Sequence, residues 1–269
     1  MNDRKGPGAD ISLSNAGPER MAAVLERLAF SRSPLSHSEL SSALGIAKST
    51  LTNLLGALRK IGYVDVVEKR YVLGPRLLAL AHQLAPHTLH HERMREKLLP
   101  VLKILAESTG ETASLLIELN PNSPPPAWLL PIAYVESHNR IRYVPSDTMG
   151  AYPMGVTAAG RVLLAFSGRS ARGQITYEPA FVEDEGPRDE KSLDEALLSI
   201  RNAGYAINTT SAEHWITIAA PVLNSRHEPV AAISVIGPSF RMAPVEEIIW
   251  PSLKEATNMA SALIREQVV

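Results

Sequence analysis

Cysteine is absent from the 269 residues. That removes disulfides, thiolate metal sites and cysteine nucleophiles together, and it gives no sign of an oxidising compartment. No run approaches the ~18 apolar residues that a membrane span needs. The opening MNDRKGPGAD leads into no apolar segment, so a secretory signal is not expected and a cytoplasmic protein is the default. The common catalytic signatures are missing too: there is no G-x-S-x-G, no H-E-x-x-H and no G-x-x-x-x-G-K-[ST]. GVTAAGR (155–161) has the glycine spacing of a phosphate loop but offers Arg161 where Lys followed by Ser or Thr is required. The carboxylates of EDEG (183–186), Asp189 and Glu190 share one loop, a poor scaffold for acid–base work. No enzyme, cofactor or metal site is expected. His87 and His91 have ligand-like spacing but no further ligand, and read as helix surface.

What is present is enough for a folded protein of one large domain or two ordinary ones. The hydrophobic fraction is 45% and the charged fraction 20%. The net charge of −1 conceals a split. Residues 1–76 hold eleven basic and seven acidic residues, +4; the remainder holds sixteen and twenty-one, −5. A positive part within a chain is a modest hint of nucleic-acid contact.

Residues 1–14 read as a disordered tail, and 15–76 as a winged helix-turn-helix. Met21, Val24, Leu25 and Leu28 place a first helix after Pro18. Ser36 with Glu39 has capping-box spacing and predicts a helix over 37–44. Gly45 then turns the chain into a third helix starting near Ala47. That helix has Leu51, Leu54, Leu55, Leu58 and Ile61 on one stripe and stops at Gly62. YVDVVEKRYVL (63–73) reads as a hairpin. The third helix offers Lys48, Ser49, Thr50, Thr52 and Asn53 near its N-terminal end, short or flexible hydrogen-bonding groups suited to base edges. Arg59 and Lys60 sit nearer its end, and Lys69 and Arg70 at the hairpin tip, placed for phosphates. A three-helix bundle that binds protein is the bland alternative.

Residues 77–95 read as a helical linker broken near Pro86, and 96–269 as a second domain. Its strand-like runs are 112–119, 127–135, 141–144, 216–222 and 229–236, with helices expected over 158–167, 193–203 and 245–265. Ser192 with Glu195 suggests another capping box. NPNSPPP (120–126) is a turn. This order implies an α+β fold with a mostly antiparallel sheet. Thr157 precedes a helix whose first amides suit either an anion or a plain cap.

The chain resembles an IclR-type bacterial transcriptional regulator. The motifs are GIAKSTLTNLLGALRKIGYV (45–64), RYVLGPRLLAL (70–80), TGETASL (109–115), TAAGRVLLAF (157–166), RNAGYAI (201–207) and AAPV with EPVAAISVIGP (219–238). The resemblance implies an operator-binding winged helix, a dimerising linker helix, a GAF-like effector-binding domain, and a homodimer or homotetramer. By position it puts the effector on the amides of Ala158 and Ala159 beside Gly160, with walls from Tyr152, Met154, Asn208, Thr217, Ser234 and Ile236. Departures from the family pattern include Asn53 for an arginine, Arg161 for a lysine and Asn208 to Ser211 for an acidic pair. Thr217 stands for a cysteine, Ile236 for a serine, and a glycine is lost near His214 and Trp215. Together they imply a less charged effector site, hence a mid-sized organic effector with an apolar or aromatic body and a polar head. The expected function is a DNA-binding regulator, a repressor, under effector control. The alternative is a small-molecule enzyme with a winged-helix protein-interaction module.

Overall fold

The computed structural model describes residues 17–29, 31, 33–84, 89–119, 127–144, 151–174, 186–210 and 214–265. The tail 1–14, Pro86, His87, the turn 120–126, residues 183–185 and Ser211 lie outside the described residues. The chain divides into two compact units, residues 1–89 and 90–269.

In the first unit, α1 (Gly17–Ala29), α2 (His37–Leu44) and α3 (Lys48–Lys60) are followed by β1 (Val64–Val67), β2 (Arg70–Leu73) and α4 (Pro75–Leu84). The expected capping box starts α2: Glu39 N–H donates to Ser36 Oγ at 3.3 Å, and Ser36 N–H donates to Glu39 Oε2 at 2.7 Å. Gly45, at φ 62°, closes α2 in the left-handed region that glycine adopts without strain. Val24, Leu28, Leu40, Ile46, Val64 and four leucines of α3 form one core. At about 1.5–3 kcal/mol for each buried leucine, α3 is held by its apolar side, which leaves the opposite side free of structural duty. Strands β1 and β2 pair antiparallel, and Leu35 adds an isolated antiparallel bridge to Tyr71.

The second unit begins on α5 (Leu89–Thr109) and adds β3 (Thr112–Glu118), β4 (Trp128–Val135), β5 (Tyr152–Pro153), α6 (Ala158–Ser167) and α7 (Glu190–Ala203). There follow β6 (Ala206–Thr210), β7 (Trp215–Leu223), β8 (Pro229–Pro238), α8 (Ser239–Met242), α9 (Val245–Ile248) and α10 (Trp250–Arg265). The sheet runs β5-β4-β3-β8-β7-β6 with every pair antiparallel. One face, with Leu115, Ile218, Ile233 and Val235, packs on α5 and α10. The other, with Leu116, Ala206, Ala219 and Ala232, packs on α6 and α7. The alternation of side chains along each strand therefore separates two cores.

Three expectations are corrected. Residues 141–144 form no strand: the Tyr143 carbonyl accepts from Thr112 Oγ1 at 2.7 Å and the Ile141 carbonyl from Arg241 Nη2 at 2.6 Å, so side chains take the acceptors a neighbouring strand would use. Helix α7 is capped by Asp189 and not by Ser192. Ser192 N–H donates to the Asp189 carboxylate at 2.7 Å, and a carboxylate is favoured at that end of a helix. The helix expected over 245–265 is interrupted at Ile249, because Pro251 has no N–H to donate and its ring crowds the preceding turn.

Candidate nucleic-acid interface and effector site

On α3, Lys48, Ser49, Thr52, Asn53, Arg59 and Lys60 are all exposed; Ser49, Asn53 and Lys60 lie opposite the buried leucines and Lys48, Thr52 and Arg59 on one flank. Thr50 is half-buried and falls off this stripe. Ala47 occupies the cap position, so no side chain caps the first amides of α3. An open helix N-terminus suits a phosphate oxygen. Thr52 is already engaged: its hydroxyl donates to the Lys48 carbonyl at 2.9 Å, and His37 Nε2 lies 3.1 Å away.

The wing turns at Glu68 and Lys69, both with positive φ (50° and 63°), as a two-residue hairpin turn with the twist of its strands demands. Lys69 projects at this tip, exposed. Arg70 is differently placed from the sequence expectation. Its guanidinium reaches Glu39 and the Pro34 carbonyl, each at 3.0 Å, and so clamps β2 to the cap of α2. The Ser36 amide, then the Ser36 hydroxyl, and then Arg70 hold the Glu39 carboxyl below its ordinary value of 4.5.

In the second unit the face under α6 changes character along the strands. Ala206, Ala219, Ser234 and Ser114 form one cross-strand row, and Asn208, Thr217, Ile236 and Thr112 the next. The alanines of the first row share a core with α6, whereas no residue of the second row belongs to that core, and Asn208 of that row bonds to Val156, two residues before α6 begins. Thr157 caps that end, accepting the Gly160 N–H at 3.1 Å and donating to the Pro153 carbonyl at 3.3 Å. The Gly160 amide is thus committed to the cap. An added Cβ on Gly160 would lie 2.3 Å from Met154 Cα and O, so this glycine lets the helix meet the preceding strand. Met154 is fully buried in the core of that face, while Tyr152 is half-buried on β5. Ala158 and Ala159, the first two residues of α6, keep amides that no turn of their own helix can satisfy.

Asn208 is 4% exposed. Its Nδ2 donates to the Val156 carbonyl at 3.1 Å, directing the side chain at the loop that opens α6. Its Oδ1 has no hydrogen-bond partner among the described residues. A buried amide oxygen left unpaired costs about 1–3 kcal/mol, and such groups are rare without a purpose. Thr217 and Ile236 are half-buried and Ser234 is buried.

Trp215 starts the same face of β7, one row beyond Thr217, and meets the Tyr143 ring edge-on at 6.0 Å. Tyr143 is held by the Thr112 bond already described, and Ile141 by Arg241, which also grips the buried Glu111 (2% exposed) through two hydrogen bonds. Residues 141–143 are therefore strapped across the end of β3.

Residues 17–68 match the IclR helix-turn-helix domain, and residues 86–262 match the bacterial transcriptional regulator IclR C-terminal domain. The chain belongs to the IclR family of bacterial transcriptional regulators. It is 30% identical over 231 residues to the glycerol operon regulatory protein of Streptomyces griseus, covering 84% of this chain and 86% of that one. It is 31% identical over 244 residues to the HTH-type transcriptional regulator BhcR of Paracoccus denitrificans, covering 88% and 83%. The crystal structure of an IclR homologue from Microbacterium hydrocarbonoxydans, complexed with 4-hydroxybenzoate, has TM-score 0.67 at 21% identity over 94% of this chain and 100% of that one. That likeness bears on the fold. As an IclR-family regulator the chain is a DNA-binding transcription factor.

Within this IclR-family chain, the sequence points to two separate places, the polar residues of α3 in the first unit and the start of α6 in the second. It missed Trp215, Tyr143 and Thr112 as neighbours of the polar row. The loss of a family glycine beside Trp215 was the available signal, but only strand pairing shows which face Trp215 takes.

Proposed function

We propose that this protein is an effector-controlled repressor whose α3 face and wing read operator DNA, and whose effector rests between the start of α6 and the row Asn208–Thr217–Ile236. The single observation that carries the effector site is the buried Asn208 Oδ1, without a hydrogen-bond partner among the described residues, on a side chain held to Val156 just before α6. The Ala158 and Ala159 amides receive the acidic or polar head of the effector, and Asn208 Oδ1 accepts from a hydroxyl or protonated group. Ile236 and the Trp215–Tyr143 pair flank an apolar or aromatic body. The 4-hydroxybenzoate bound by the Microbacterium homologue supports an aromatic acid as the first compound to test.

Lys48, Ser49, Thr52 and Asn53 address base edges, and Arg59, Lys60 and Lys69 the phosphates. Arg70 acts through the wing it clamps. A homodimer or homotetramer in the cytoplasm presents paired readers to a pseudo-palindromic operator. The effector releases DNA by binding the competent and incompetent arrangements unequally, with a coupling of about 1–3 kcal/mol.

The test is a footprint on the DNA upstream of its own gene, with and without 4-hydroxybenzoate and related aromatic acids, alongside calorimetric titration. Binding of an aromatic acid that weakens the footprint is expected, and Asn208→Ala should lower its affinity at least tenfold. Tight binding of two- or three-carbon keto acids alone overturns the aromatic reading. The compound should be recovered unchanged; its consumption would favour the enzyme alternative.

A further inference from the structure

We infer that Gly56 is the place where the backbone of α3 itself presses against the DNA duplex. The inference rests on the reading of α3 as the DNA-contacting helix and goes beyond it, because it gives a role to a residue that offers no functional group. Gly56 sits in the interior of a thirteen-residue helix, where glycine is disfavoured about fivefold relative to alanine. Nothing among the described residues requires it. Gly56 is exposed, its φ is not in the left-handed region, and a Cβ built on it meets nothing within 4 Å. This sets it apart from Gly74 and Gly160, whose added Cβ atoms would each fall 2.3 Å from backbone.

Its position supplies the reason. At 3.6 residues per turn, Gly56 lies one turn after Thr52 and Asn53 and one turn before Arg59 and Lys60. It lies within the exposed face, about 150° round the helix from the mean direction of Leu51, Leu54, Leu55 and Leu58. A missing side chain there opens a shallow notch between the base-reading end and the basic end. Duplex seated in that notch brings Asn53 and Lys60 into reach at once; a side chain there would act as a wedge and lift both. Glycine is the residue that admits such a close backbone approach.

The experiment compares wild type with Gly56→Ala and Gly56→Leu, using the duplex upstream of its own gene as probe and melting of the free protein as the second readout. Both variants should melt at or a few degrees above wild type, because both residues are better helix formers. Their DNA affinity should fall, at least tenfold for alanine and further for leucine. Gly56→Ala binding as tightly as wild type, in a protein of equal or higher melting temperature, overturns the inference. A wild-type protein that binds no duplex at low salt overturns the reading of α3 itself, and this inference with it.

Discussion

At Gly160 one added carbon would lie 2.3 Å from both Met154 Cα and its carbonyl oxygen. Neither atom belongs to a flexible side chain, so α6 must move as a unit. Gly160→Ala should therefore destabilise the second unit by about 1–3 kcal/mol or more, read as a lower urea midpoint. Gly168, at which a Cβ meets nothing within 4 Å, provides the contrast. The polar residues of α3 divide by a different criterion. Asn53→Ala should relax base preference while leaving random duplex binding nearly unchanged. Lys69→Ala should weaken every sequence alike and lower the slope of log affinity against log salt by about 1. Competition binding on specific and random duplexes checks both, and equal effects of the two variants on the two duplexes contradict the division.

Among the elements, the wing depends on one carboxylate. Glu39 receives the Ser36 amide and the Arg70 guanidinium, so it joins the start of α2 to β2. Its carboxyl is held below the ordinary 4.5, so the ion contributes stability that is complete above that value. The contribution is lost as pH falls through the lowered value. Glu39→Gln should flatten that part of the acid dependence, measured as urea midpoints between about pH 6 and pH 3. A wild-type and variant pair with parallel profiles would sink the assignment. The elements of this half were legible because their signals are local: Ser36 and Glu39 are three residues apart, Gly45 ends its own helix, and the leucines repeat every three or four positions. In the other half the deciding partners are distant. Residues 141–144 look like a strand until Thr112 and Arg241, from other parts of the chain, take their carbonyls. Strand β6, with the polar sequence AINTT, was visible only as a motif because it earns its place by pairing with β7. The amides of α6 were legible from Thr157 and the resemblance, whereas the orientation of the Asn208 amide depends on Val156, 52 positions away.

For the whole molecule, two separate apolar cores on the six-stranded sheet and a third in the winged helix mean that binding energy need not be shared evenly. An effector at saturating concentration, about a hundred times its Kd, should stabilise the unit it binds by about 2.7 kcal/mol. Calorimetry should show the transition of the second unit rising with effector and that of the first rising with duplex. Equal shifts of both transitions with either ligand would contradict separate sites. The change of character along one sheet face has a further consequence. The alanines under α6 hold the domain together, while Thr217 and Ile236 stand a single row away, half-buried and in neither apolar core of the sheet. Under the proposed effector site, drift or deliberate engineering could rewrite Thr217 and Ile236 for a new inducer while Asn208 keeps its hold on the Val156 carbonyl, which makes those two positions the practical starting point for building a biosensor with altered chemical taste.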